Sequence, residues 1–128
     1  MNLIYKVSPV KSHLNQGGEV KFIARPDKRQ KADFRKISDI ISDRSTLSSV
    51  DIIAVLEAFA SLVPELLMDN YSVHLPPLGI FSLSFKSECH DNPEDVNYTS
   101  IKQVKMQFRP DKEIITKLKV AKARKAAG

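Results

Sequence analysis

The chain has 128 residues, of which 42% are hydrophobic and 27% charged, with a net charge of +5 and one cysteine. That length suits one domain with a modest core, or a better core shared with a second copy, and the balance is that of a globular chain rather than a disordered one. No apolar run approaches the roughly 18 to 20 residues needed to span a bilayer, Met1 opens no leader-like segment, and Cys89 alone supports neither an intramolecular disulfide framework nor a cysteine-rich zinc site. A soluble, cytoplasmic protein without a membrane partner is expected.

Charge is unevenly placed. Residues 1–36 hold nine Lys/Arg against three Asp/Glu, residues 37–101 two against ten, and residues 102–128 nine against two. Two basic ends around an acidic middle suggest a surface that faces a polyanion.

In chain order, "NLIYKVSPV" and "EVKFIARP" read as β-strands separated by "KSHLNQGG", where Gly17-Gly18 supplies a turn. "RPDKRQK" is a basic linker. From Lys31 onward, Phe34, Ile37, Ile40 and Ile41 recur at helical spacing, and "SDRSTLSS" breaks that helix. Ser48 followed by Asp51 resembles a capping box. The run it opens places Ile52, Ile53, Leu56, Phe59, Ala60, Val63, Leu66 and Leu67 on a stripe widened by Val55 and Leu62, broader than one small sheet covers, so a second chain is expected against it. Pro64 predicts a kink or restart. Val73 and Leu75, then Phe81, Leu83 and Phe85 beyond the Pro-Pro-Leu-Gly corner, alternate as two strands or one bent strand. Val104, Met106 and Phe108 alternate with Lys105, Gln107 and Arg109, and the three phenylalanines are expected in buried packing rather than as a base-stacking platform. "DKEIITKLKVAKARK" predicts a short helix with Ile114, Ile115 and Leu118 inward, fading into a basic tail.

Leu78-Gly79-Ile80-Phe81 matches the Gly-x-Gly-x-Phe corner of the HU and integration host factor family of bacterial histone-like proteins, with Pro77 in place of the first glycine. Phe108-Arg109-Pro110-Asp111-Lys112 matches that family's Phe-Lys-Pro-Gly-Lys, and "TLSSVDIIAVLEAF" its Leu-Ser start to the second helix. Over about residues 31–120 the chain resembles this family, and its added N-terminal strands resemble the larger HU-related proteins of the Bacteroidetes. The resemblance implies an α+β, HU-like intertwined dimer with two N-terminal helices, an antiparallel sheet with a shortened β-arm, a C-terminal helix and extra N-terminal strands. It divides the chain into an N-terminal β extension and basic linker (1–30), an HU-like domain (31–120) and a basic tail (121–128). The implied function is architectural: a homodimer that binds duplex DNA over the minor groove through phosphates, with little sequence preference, and bends or compacts it in the nucleoid.

Arg109, Lys112, Lys105, Lys86 and Lys102 are the expected phosphate contacts, with Gly79 offering a free amide. In the family an arm-tip proline wedges between base pairs, and Pro93 in "ECHDNPEDV" stands at the matching place. Glu88, Asp91, Glu94 and Asp95 around it argue against the wedge and move the expected contacts back to the saddle. The same acidic stretch makes a protein partner there an alternative, with structured RNA a third. Residues 1–30 add strands to the sheet edge, cover the DNA face or extend it through Lys28, Arg29 and Lys31; the sequence leaves these open. Cys89-His90-Asp91 is too compact to converge on one metal ion, no acid-base set suggests an enzyme or a small-molecule substrate, and no cofactor is expected.

Overall fold

The computed structural model describes residues 1–11 and 20–127, so the Gly17-Gly18 turn lies outside the described residues. In chain order the elements are β1 (Leu3–Lys11), β2 (Val20–Pro26), α1 (Phe34–Asp43), α2 (Ser49–Met68), β3 (Val73–Leu75), β4 (Gly79–Ser87), β5 (Ile101–Pro110), α3 (Lys112–Leu118) and β6 (Ala123–Lys125). They group into two compact units, Met1–Ala32 with Leu118–Gly128, and Asp33–Lys117.

The first unit is a three-stranded sheet in the order β2-β1-β6. β1 and β2 are antiparallel, with Tyr5 opposite Pro26 and Lys11 opposite Val20. β6 runs parallel to Leu3–Tyr5. The last segment, expected as a basic tail, thus contains a strand: Leu3 N donates to Lys122 O at 2.7 Å and Ala126 N to Tyr5 O at 2.8 Å. The physical reason is the unpaired main chain on the outer side of β1, which a short strand of any composition can satisfy. Because β6 reaches only to Tyr5, Pro9 falls where β1 has a single neighbour, the position that a residue without an N–H requires. The N-terminal strands therefore form their own sheet with β6 and do not extend the β3-β4-β5 sheet.

In the second unit, α1 starts at Phe34 rather than near Lys31 because the Asp33 carboxylate accepts from Lys36 N at 2.9 Å and caps the helix there. Ser38 is buried, its hydroxyl donating to Arg35 O at 2.8 Å. α2 opens as expected, with Ser48 Oγ accepting from Asp51 N at 3.2 Å. It then runs unbroken through Pro64, without the expected restart; the ring costs one hydrogen bond, to Ala60 O, and the turns on either side hold. Asn70, at φ 66°, stops it: Asn70 N donates to Leu67 O at 3.3 Å and Tyr71 N to Leu66 O at 3.1 Å, a Schellman arrangement.

β3 and β4 are two antiparallel strands joined through a turn in which Leu78 N donates to Leu75 O at 2.7 Å and the Pro76-Pro77 bond is cis. β4 continues antiparallel to β5. The register places Val73 and Phe108 opposite Phe81, and Met106 opposite Leu83, so these side chains share one face. α2 packs against β3 and β4 and supplies the buried apolar residues Ile52, Val63 and Leu67. The buried packing expected of the phenylalanines is met only in part. Phe81 is half-buried and stacks at a tilt on Phe108, centroids 4.9 Å apart, yet Phe85, Met106 and Phe108 remain 57%, 60% and 49% exposed. β5 is an edge strand beyond the helix's cover, and one chain has too few elements to close the sheet face. Likewise only Ile114 of the three expected inward residues of α3 is sheltered, while Ile115 and Leu118 are exposed.

Candidate nucleic-acid interface

Alternation along β4 and β5 sends every second side chain to the face opposite the apolar one. Ile80 pairs with Arg109, Ser82 with Gln107, Ser84 with Lys105 and Lys86 with Lys102. The four basic residues singled out by sequence in these strands are therefore brought onto one sheet face, and all are exposed. Two residues of β5, Gln103 and Val104, oppose Phe85 alone, with Gln103 at φ 52°. This bulge absorbs the irregularity that would otherwise put Lys102 out of phase with Lys105. Lys112 follows at the first turn of α3, exposed.

Two carboxylates temper the face. Glu88 Oε1 lies 3.7 Å from Lys102 Nζ, both side chains about half exposed, an ion pair of small energetic weight. Asp111 Oδ2 lies 2.8 Å from His74 Nε2, a hydrogen bond across 37 residues that becomes an ion pair when the imidazole is protonated. His74 pairs with Ile80, which in turn pairs with Arg109, so His74 lies on the basic face one strand beyond Ile80 from Arg109. Its phase against Val73 and Leu75 was the only sequence signal for that position, and nothing in the sequence marked Asp111 as its partner.

Gly79, expected to offer a free amide to phosphate, is buried. A Cβ there would overlap Arg109 O and come within 2.6 Å of Phe108 Cζ, so glycine is required for the Phe108 ring to pack across the strand. Pro93 opens a single 3-10 turn, Pro93–Asp95, followed by a second, Tyr98–Ser100. The segment between β4 and β5 is held by Glu88 N donating to Ser100 O at 2.9 Å and by His90 Nε2 lying 3.0 Å from Ser100 Oγ. It is a short folded connection, and Glu88, Asp91, Glu94 and Asp95 on it are exposed. Lys28 and Arg29 belong to the first unit, where both border a groove with Leu3, Ile4 and Tyr5. Among the described residues no cluster of three or more His, Cys, Asp or Glu is placed to hold a metal ion, and no helix is long and apolar enough to cross a membrane.

A helical pair on the apolar side of a three-stranded antiparallel sheet whose other side is basic defines an HU-type module. The family model described as "HU domain fused to wHTH, Ig, or Glycine-rich motif", HU-HIG, matches residues 1–125, and the chain belongs to that family. Among solved structures it is similar to a bacterial protein from Bacteroides vulgatus ATCC 8482, described as a candidate DNA-binding protein. The TM-score is 0.64 at 14% identity, over 98% of this chain and 49% of that one, so the chain spans about half the length of this structural relative. No curated protein matches the chain.

Proposed function

We propose that the protein is a non-enzymatic, architectural DNA-binding protein that acts as a homodimer in the nucleoid of the cytoplasm, holding duplex DNA through phosphates and bending or compacting it with little sequence preference. The observation that carries this reading is the register of β4 and β5, which gathers Lys86, Lys102, Lys105 and Arg109 on one face while the apolar residues take the other. Membership of an HU-domain family supports it. Binding of this kind weakens steeply with salt, because each neutralised phosphate releases counterions. Gel shifts of bent, nicked and linear duplexes across a salt series test it, with Arg109→Glu as the paired variant. Absence of a shift at low salt by folded protein rejects the reading.

A second reading is favoured by one observation, the exposed acidic connection around Asn92-Pro93. On that reading the HU scaffold docks a basic protein through Glu88, Asp91, Glu94 and Asp95. Structured RNA on the basic face is a third reading, which competition between RNA and DNA duplexes separates.

A further inference from the structure

The two units differ sharply in charge. Residues 1–32 with 118–128 contain eleven Lys/Arg and two Asp/Glu, a net charge of +9, whereas residues 33–117 contain nine and thirteen, a net charge of −4. The whole positive excess of the protein thus resides in the unit built on the small β2-β1-β6 sheet, and the HU-type unit is acidic overall.

The sheet's register gathers part of that charge. Lys6 lies opposite Arg25, Val10 opposite Lys21 and Ile4 opposite Arg124, so Lys6, Lys21, Arg25 and Arg124 share one face, all exposed, separated by Ile4, Ser8, Val10 and Ile23. The opposite face carries Leu3, Tyr5, Val7, Pro9, Phe22 and Ala24, with Lys125 beside Tyr5 as a basic residue on that side. Lys6 and Arg25 also border, with Arg29, Pro26 and Asp27, a pocket of about 500 Å³. None of these five basic residues has an ion-pair partner among the described residues, Asp27 included. Like charges directly opposite each other in an antiparallel pair destabilise it, so a Lys6–Arg25 pair without a carboxylate is a cost that a bound anion removes. Lys21 and Arg25 are four residues apart on one strand, about 13 Å. That is several times the roughly 3.4 Å axial spacing of charges along one DNA strand, so the row meets more than one phosphate.

We propose that the basic face of the β2-β1-β6 sheet, formed by Lys6, Lys21, Arg25, Arg124 and the adjoining Arg29, is a phosphodiester-binding surface of its own that takes the backbone of duplex DNA. It rests on the DNA-binding reading above and adds a second contact surface, on a different unit from the one which that reading uses. Among the described residues this unit has no helix placed to enter a groove, and its cations are dispersed over a pleated surface, which favours contact with the backbone over base reading. Its consequence is that the N-terminal sheet contributes its own share of the salt dependence, beside that of the HU-type unit.

Fluorescence anisotropy with a mixed-sequence DNA duplex across a salt series, on the full chain, compares wild type with Lys6→Ala/Arg25→Ala, Lys105→Ala/Arg109→Ala and the control Arg44→Ala. The Lys6→Ala/Arg25→Ala variant is expected to bind at least about tenfold more weakly at low salt, with a log-log salt slope shallower by about 2. A slope and affinity equal to wild type overturn the proposal. Acetylation footprinting of the wild-type protein, read by mass spectrometry, decides the matter independently of how any variant folds. Salt-reversible protection of Lys6 and Lys21 by the DNA duplex supports the proposal. Protection of Lys105 without Lys6 or Lys21 overturns it and leaves the DNA-binding reading standing; protection of Lys6 and Lys21 alone upholds it and removes the HU-type face from that reading. Protection by duplex RNA but not by DNA overturns the assignment to DNA, and protection by neither overturns both.

Discussion

Gly79 and Asp111 show how the family-like motifs are used in this chain. The glycine of the Leu78-Gly79-Ile80-Phe81 corner is a packing residue, because the Phe108 ring occupies the space its side chain would need. Gly79→Ala is expected to lower stability by about 2 kcal/mol in denaturant unfolding, since the backbone carbonyl of Arg109 cannot move aside as a flexible side chain would. Asp111 inserts a carboxylate between Arg109 and Lys112 and ties it to His74 at 2.8 Å. Asp111→Asn removes that charge from the face proposed to meet phosphates, and should tighten duplex binding about two- to fivefold at low salt, an advantage that fades as salt rises. Arg109→Glu should weaken binding by about tenfold or more in the same titration. Both motifs were legible because they are local in sequence; the His74–Asp111 contact was not, since no local pattern joins residues 37 positions apart.

The helices of the second unit are defined by their ends. Ser48 supplies an acceptor to Asp51 N, and Ser48→Ala is expected to cost about 1 kcal/mol of stability, measured by the shift in urea midpoint at unchanged m-value. Asn70 ends α2 in the left-handed region, where an asparagine tolerates the backbone that a branched side chain does not. These caps follow from residue type and spacing, and α2 appears where the sequence places it. The connection between β4 and β5 behaves differently. Pro93 there is the first residue of a 3-10 turn flanked by exposed acids. Pro93→Ala should leave both affinity and the DNA bend angle, read by fluorescence energy transfer between duplex ends, nearly unchanged; a large loss of bending would restore the wedge.

Exposed apolar surface dominates the chain as a whole. Val55 and Leu62 on α2 are 67% and 46% exposed, and together with Phe85, Met106 and Phe108 they form far more uncovered apolar area than scattered surface residues account for. This is the physical support for the proposed homodimer. Leu62→Asp should shift the mass measured by sedimentation from dimer to monomer, or leave the chain unfolded, because a carboxylate has no partner in an apolar interface. A wild-type protein that sediments as a folded monomer at micromolar concentration would refute the dimer.

The helices, their caps, the strand alternation and the two HU-like motifs follow from neighbours within a few positions along the chain, where propensity, periodicity and capping chemistry act. The pairing of β6 with β1, the bulge at Gln103 and the sorting of Lys6, Lys21, Arg25 and Arg124 onto one face depend on register between distant segments. A slip of one residue in any strand pair would reverse the face every side chain occupies, and no local energy term sets that choice. For that reason the amino-acid pattern alone pointed to a protein of HU type with two basic ends, and the folded sheets were needed to show that those ends join in one unit and turn four of their cations to one face.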